Sequence, residues 1–210
     1  MNNTGAPLIE LFISDWSASA FGASACVPWE ATSYAQKLIL DRIEQLDSSY
    51  RIENQVAVHR SATVEPSAIL KGPVVVEPGA FVAANCYLRG GVFVARDCIV
   101  GPSCELKSTF MFSGSKIAHL SFVGDSIIGS RANIEAGATI ANYRNECEDK
   151  AIRINWSGSI LETGVEKFGA VIGDDAKIGA NAVVAPGALL NRHTIVPRLG
   201  LIDQSPVALE

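Results

Sequence analysis

Large aliphatic residues return every six positions through the middle of this chain. Val58, Val64, Leu70, Val76, Val82, Leu88, Val94, Val100 and Leu106 hold the phase without a slip. It comes back at Ile128, Ile134 and Ile140, and again at Ile172, Ile178, Val184 and Leu190. A six-residue repeat is too short to enclose its own core, so successive repeats must bury their aliphatics against one another. A parallel β-helix does this: short strands and tight turns wind a prism, with one anchor per face pointing inward. Three faces make a coil, so residues 18 apart stack (106 − 88 = 18), about 4.8 Å from each other. The expected fold is therefore all-β, a parallel β-helix of hexapeptide repeats with an N-terminal α-helical segment. The period does not fix the hand of the coil, and parallel crossovers are usually right-handed.

The repeat also divides the chain. Residues 1–56 lack it, and "VPWEATSYAQKLILDRIEQL" (27–46) reads as one amphipathic helix. Pro28 suits its first turn, and Ala35, Leu38, Ile39, Ile43 and Leu46 recur at helical spacing. Such a helix is expected to pack beside the first coils or to cap their open edge, because bare strand edges invite pairing. Residues 57–196 form the hexapeptide domain, with polar loops near 142–153 and 155–170, and 197–210 is a tail.

Composition excludes several function classes. A net charge of −5 without a Lys/Arg cluster argues against nucleic acid. No apolar run approaches the roughly 18 residues of a membrane helix, and no basic-then-apolar leader opens the sequence. These features predict a cytoplasmic protein that does not engage membranes. Five cysteines without a C-x-x-C, and histidines without ligand spacing, argue against a structural metal. Cys86, Cys98 and Cys104 fall four places after an anchor, where Ala62, Ala68 and Ala80 also fall, so packing accounts for them.

Two features lie outside the packing pattern. Arg89 and Lys107 each follow an anchor and are 18 apart (107 − 89 = 18), so they should stack on adjacent coils. Two cations about 5 Å apart repel by roughly 3 kcal/mol at an effective dielectric near 20. Either an anion such as a phosphate sits against them, or both side chains splay into water. His119 stands in the stretch "SKIAHLSFVGDSIIG". It is either a half-buried imidazole or a base near neutral pH.

The segment "CELKSTFMFSGSKIAHLSFVGDSIIGSRANIEAGATIANY" (104–143) closely resembles the acetyltransferase domain of the bifunctional glucosamine-1-phosphate acetyltransferase/N-acetylglucosamine-1-phosphate uridyltransferase family, and of related sugar-phosphate nucleotidylyltransferases. That resemblance implies a left-handed coil, the hand of the hexapeptide acyltransferases. It implies His119 as general base, and Glu105 matches an acidic residue that could orient it. Arg89 and Lys107 fall on the family's phosphate-binding pair, Asn133 on a sugar-binding asparagine, and Asn142 and Tyr143, with Ala136, on the acetyl-coenzyme A side. Departures are Phe122, where the family has a substrate-binding tyrosine, and Ala180, where a serine lies near coenzyme A. The resemblance also implies acetyl-CoA as co-substrate, no metal for the transfer, and a homotrimer with sites between subunits.

Two readings follow. One is an acetyl-CoA-dependent N-acetyltransferase acting on an amino-sugar phosphate. The other is a non-catalytic β-helix that drives assembly or regulation beside a separate nucleotidyltransferase, since no Gly-rich nucleotide loop precedes the helix. A carbonic anhydrase of the same fold needs paired zinc-binding histidines, and His59, His119 and His193 are spaced 60 and 74 apart.

Overall fold

The computed structural model describes residues 8–22 and 26–204. The chain winds as the parallel β-helix its six-residue period requires. One face is a seven-stranded parallel sheet, from Thr63–Val64 to Ile195–Val196. The other two faces join in one 13-stranded sheet, because strands Tyr87–Val94 and Glu105–Met111 run continuously around their shared corner. We call the faces first, second and third in chain order, starting with the seven-stranded one. The anchors stack as rungs, Leu88 on Leu106 and Val100 on Ile117, and from Val74 onward nearly all are fully buried. Burying a Val or Leu side chain stabilises by about 1.5–3 kcal/mol, and here each does so only through its coil neighbours.

The anchor stack continues between 106 and 128, although the six-residue phase lapses. Met111 pairs with Val94, Ile117 with Val100 and Val123 with Leu106, so the anchors continue through two five-residue steps, 106 to 111 and 123 to 128. Both shortened steps fall at the corner between the second and third faces. There Gly90 and Gly91 are opposed by Ser108 alone, which shifts the register between Arg89 and Val92. Each short corner closes in the same way. Thr109 Oγ1 donates to the Lys107 carbonyl (2.8 Å), and Ser126 Oγ donates to the Gly124 carbonyl (2.7 Å). The residue between, Ser108 or Asp125, takes a left-handed backbone. Small polar residues reach that conformation more easily than bulky ones.

The N-terminal segment packs beside the early coils, one of the two placements expected, but its expected single helix is broken. It forms two helices, α1 (Pro28–Ser33) and α2 (Ala35–Ile43), broken at Tyr34. The break lies where the chain meets the coil corner: a Cβ on Gly91 would stand 2.6 Å from the Ala35 carbonyl carbon and from the Gln36 nitrogen. The segment also does not cap the first coil, whose anchors Val58, Val64 and Leu70 stay only half-buried. It covers the third face instead. Trp16 and Phe21 interleave with Phe93, Phe110 and Phe112, with ring centroids 4.9–6.1 Å apart for Phe21–Phe93, Phe21–Phe110, Trp16–Phe112 and Trp16–Phe110. The buried Asp174 carboxylate accepts bonds from the Ser14 N–H (2.9 Å), the Ser14 hydroxyl (2.7 Å) and the Ser130 N–H (2.8 Å), fixing the segment to the coils. At the first coil, β1 (Tyr50–Glu53) folds back antiparallel on β2 (Val56–His59).

The two expected loops are one excursion from the second–third corner, leaving after Ile140 and rejoining at Ala170. It contains a hairpin of Arg153–Trp156 and Ser159–Glu162 and buries Ile152, Ile154 and Phe168 beside the N-terminal segment. Arg144 ties it to the last coil through Asp203 (2.6 Å) and the Pro186 carbonyl (3.1 Å). The stretch read as a tail from 197 contributes another coil strand, Leu201–Ile202. The cysteines at 86, 98 and 104 are buried among the coils, and burial pushes the Cys104 thiol up to about 11.

Phe110 joins the two layers, being fully buried between the coil core and the Trp16–Phe21 pair. Phe110→Ala is expected to lower the free energy of unfolding by about 3–5 kcal/mol, measured by urea denaturation. A loss under about 1 kcal/mol would mean that the N-terminal segment is not part of this core.

Candidate functional site

The second face and its two corners carry the sequence-predicted residues except Asn133, which is on the first face. Arg89 and Lys107 are direct partners on adjacent strands, as their spacing required. They do not face each other bare. Arg89 donates to Glu105 Oε1 through Nε (2.8 Å) and Nη2 (2.7 Å). Lys107 Nζ donates to both oxygens of Asp125, at 2.7 Å each. The repulsion argued from spacing is therefore offset inside the chain by two carboxylates. Glu105 is engaged by Arg89 and not by the imidazole of His119. The guanidinium lies on the neighbouring strand next to its own, whereas His119 sits beyond the end of a strand, in a turn.

Asp125 is the residue the sequence reading left without a role. Its side chain is only 7% exposed, and besides Lys107 it accepts a bond from Asn142 Nδ2. One carboxylate thus holds Lys107 and the second residue of the excursion. The signal was present in the "GD" of "HLSFVGD". Spacing misleads here, because Asp125 is 18 after Lys107 while the Cα partner of Lys107 is Gly124. Gly124 supports the same cluster: a Cβ there would lie 2.7 Å from the Asn142 amide and 2.9 Å from the Phe122 ring. Asn142 and Phe122 can therefore both close over the strand.

Arg89, Lys107, Phe122, Asn142 and Tyr143 line one open cavity of about 450 Å³, overhung by Glu166 and Lys167 of the excursion. His119, Asn133, Ala136 and Ala180 lie outside it. Asn133 is exposed on the first face. His119 is exposed at the corner between the first and second faces, where its carbonyl accepts from Gly137 N (2.9 Å). The same ladder continues from Ala136 to Asn181 N (2.9 Å) and from Ala180 to Leu199 N (2.9 Å). His119, Ala136 and Ala180 therefore form a column on three consecutive coils. The Ala180 N–H is taken by Glu135 Oε2 (2.9 Å), and Arg198 holds that carboxyl below its usual range. Among the described residues, the Ala136 N–H has no recorded acceptor. The site thus has two edges across one strand width, cationic on one side and imidazole-bearing on the other. Among the described residues no three His, Cys, Asp or Glu side chains converge as a metal site would need, and no helix is long and apolar enough to cross a membrane.

The profile of the GMPPB C-terminal domain matches residues 70–166. The chain is 34% identical over 181 residues to the bifunctional protein GlmU of Methanococcus maripaludis, covering 84% of this chain and 43% of that one. It is 38% identical over 94 residues to a bifunctional sugar-1-phosphate nucleotidylyltransferase/acetyltransferase of Sulfurisphaera tokodaii, covering 45% and 23%. The resemblance seen in residues 104–143 therefore extends over most of the β-helix, although the chain spans less than half the length of these relatives. Among solved structures, a mutant of AntD, an N-acyltransferase from Bacillus cereus in complex with dTDP and coenzyme A, is 13% identical with a TM-score of 0.43, covering 68% of this chain and 76% of that one. These values are too low for any residue to be carried over.

Asp125→Ala leaves the Lys107 ammonium, itself 18% exposed, without its carboxylate. It is expected to cost about 1–3 kcal/mol of folding stability, with a smaller cost for Asp125→Asn, both read by urea denaturation. Equal stability of Asp125→Ala and the wild type would contradict the bridging role.

Proposed function

We propose that the chain is a cytoplasmic acetyl-CoA-dependent N-acetyltransferase acting on an amino-sugar phosphate of the glucosamine 1-phosphate kind. The observation that carries this reading is the pairing of a stacked Arg89–Lys107 edge with a histidine-bearing corner across a single strand. The phosphate binds against Arg89 and Lys107, whose donors are already oriented by Glu105 and Asp125. Phe122 offers the sugar an apolar face, Asn133 is its amide contact, and Asn142 and Tyr143 face the acyl donor. His119 is exposed, so its imidazole is open to substrate. It takes a proton from the substrate ammonium. The freed amine attacks the thioester carbonyl, the C–S bond of the tetrahedral intermediate breaks, the thiolate recovers the proton from the imidazolium, and the second amine proton leaves to bulk water as the amide forms. The free Ala136 N–H and the adjacent corner of Ala180 suit the acyl donor, and a backbone N–H there can steady the oxyanion. A homotrimer completes the site, each subunit lending its corner to the next. No metal is required for this step.

The second reading, a β-helix that assembles beside a separate nucleotidyltransferase without catalysing transfer, has one observation in its favour. Both cations are already neutralised within the chain.

His119→Ala separates the two. In the acetyltransferase it lowers kcat for coenzyme A release by about 10²–10⁴-fold, with circular dichroism and oligomeric mass unchanged. Transfer that survives at the wild-type rate removes His119 as base. Wild-type protein that transfers no acetyl group to any amino-sugar phosphate supports the assembly reading.

A further inference from the structure

The cavity beside Arg89 is not isolated. Lys107, Glu166 and Lys167 are shared with a second cavity of about 660 Å³, which extends beneath the broken helix. Its far wall comes from Ser33, Tyr34 and Lys37, and its floor is the coil corner at Gly90 and Ser108. The hexapeptide repeat did not require this space. It exists because the α1–α2 break is seated on Gly91, where any Cβ would stand 2.6 Å from the helix backbone. Together the two cavities form one groove that passes Lys107. A bare sugar 1-phosphate ends at Lys107 and leaves the larger half empty.

Resting on the acetyltransferase reading, we propose that the amino sugar is presented linked to a nucleoside diphosphate. The sugar-proximal phosphate lies at Arg89 and Lys107, and the second phosphate and nucleoside occupy the cavity under Tyr34. The lining fits that ligand. Lys37, which also pairs with Asp41 (2.6 Å), and Lys167 flank the path of the second phosphate, Ser33 offers a hydroxyl, and of the two carboxylates in the lining, Glu166 and Asp125, the latter is held by Lys107. Tyr34, 62% exposed, presents a ring on which a base can stack. Coenzyme A also carries a nucleotide, but Ala136 and Ala180 lie on the opposite corner of the second face. The chemistry of a diphosphate-linked nucleoside is common to both ligands, so the test must separate them.

Steady-state acetyl transfer is measured on the full chain with glucosamine 1-phosphate and with UDP-, GDP- and dTDP-linked amino sugars. At least one nucleotide-linked form is expected to exceed the 1-phosphate in kcat/KM by tenfold or more. Tyr34→Ala is expected to reduce that advantage by about tenfold, while the KM for acetyl-CoA and the kcat/KM for the 1-phosphate stay unchanged. Equal or better use of the 1-phosphate overturns the proposal and leaves the acetyltransferase reading standing. A Tyr34→Ala effect on the KM for acetyl-CoA alone also overturns it, by assigning the cavity to coenzyme A. If no substrate is acetylated, the acetyltransferase reading fails by itself, and calorimetry with UDP, GDP and dTDP decides the cavity. Binding that weakens tenfold in Tyr34→Ala supports it, and no binding by any of the three overturns it.

Discussion

The structure depends on the inward stacking of aliphatic rungs from coil to coil. No strand is long enough to be stable alone, and no coil has a core without its neighbours. This constraint explains why the chain tolerates changes at corners and not on faces. Removing one residue from a corner leaves the rungs aligned, as in the steps from Leu106 to Met111 and from Val123 to Ile128. Removing one from a strand would turn an anchor outward. Even the long excursion returns in phase, with Ile128 paired to Ile172.

The corner between the second and third faces is where this freedom was used. It has its normal length at Gly90–Gly91, is shortened twice at Ser108 and Asp125, and opens into the excursion after Ile140. The N-terminal helices rest on it at Gly91. Backbone variation at one edge of a rigid prism places Lys107, Asp125, Asn142, Lys167 and Tyr34 around one groove. The charges there are arranged as alternating pairs, Arg89 with Glu105 and Lys107 with Asp125. Such pairs fix the orientation of the two cations within the chain.

Much of this was legible in the sequence, for a physical reason. The hexapeptide period is a packing signal, and the rungs from Val76 to Leu106 lie where it puts them. The stacking of Arg89 on Lys107 followed from the same arithmetic. Three things were not legible. The rungs at Met111, Ile117 and Val123 were hidden because a five-residue corner breaks the count without breaking the stack. The path of the N-terminal segment depends on aromatic contacts between residues far apart, such as Trp16 with Phe110, which no local period encodes. Asp125 was passed over because spacing arguments follow faces, and its role comes from a corner. Glu105, which the resemblance matches to an acidic residue that could orient His119, is held by Arg89 on the neighbouring strand.

The central claim is that the stacked cations form an anion site although each already holds a carboxylate. Calorimetric titration of glucosamine 1-phosphate, repeated with glucosamine, into wild-type protein and into Arg89→Ala tests it most directly. The account predicts that the phosphate ester binds more tightly than the free sugar in the wild type, that added salt weakens this preference, and that it falls about tenfold or more in Arg89→Ala. Indistinguishable binding of ester and free sugar by the wild type would mean that the two ion pairs are structural and that the corner holds no phosphate.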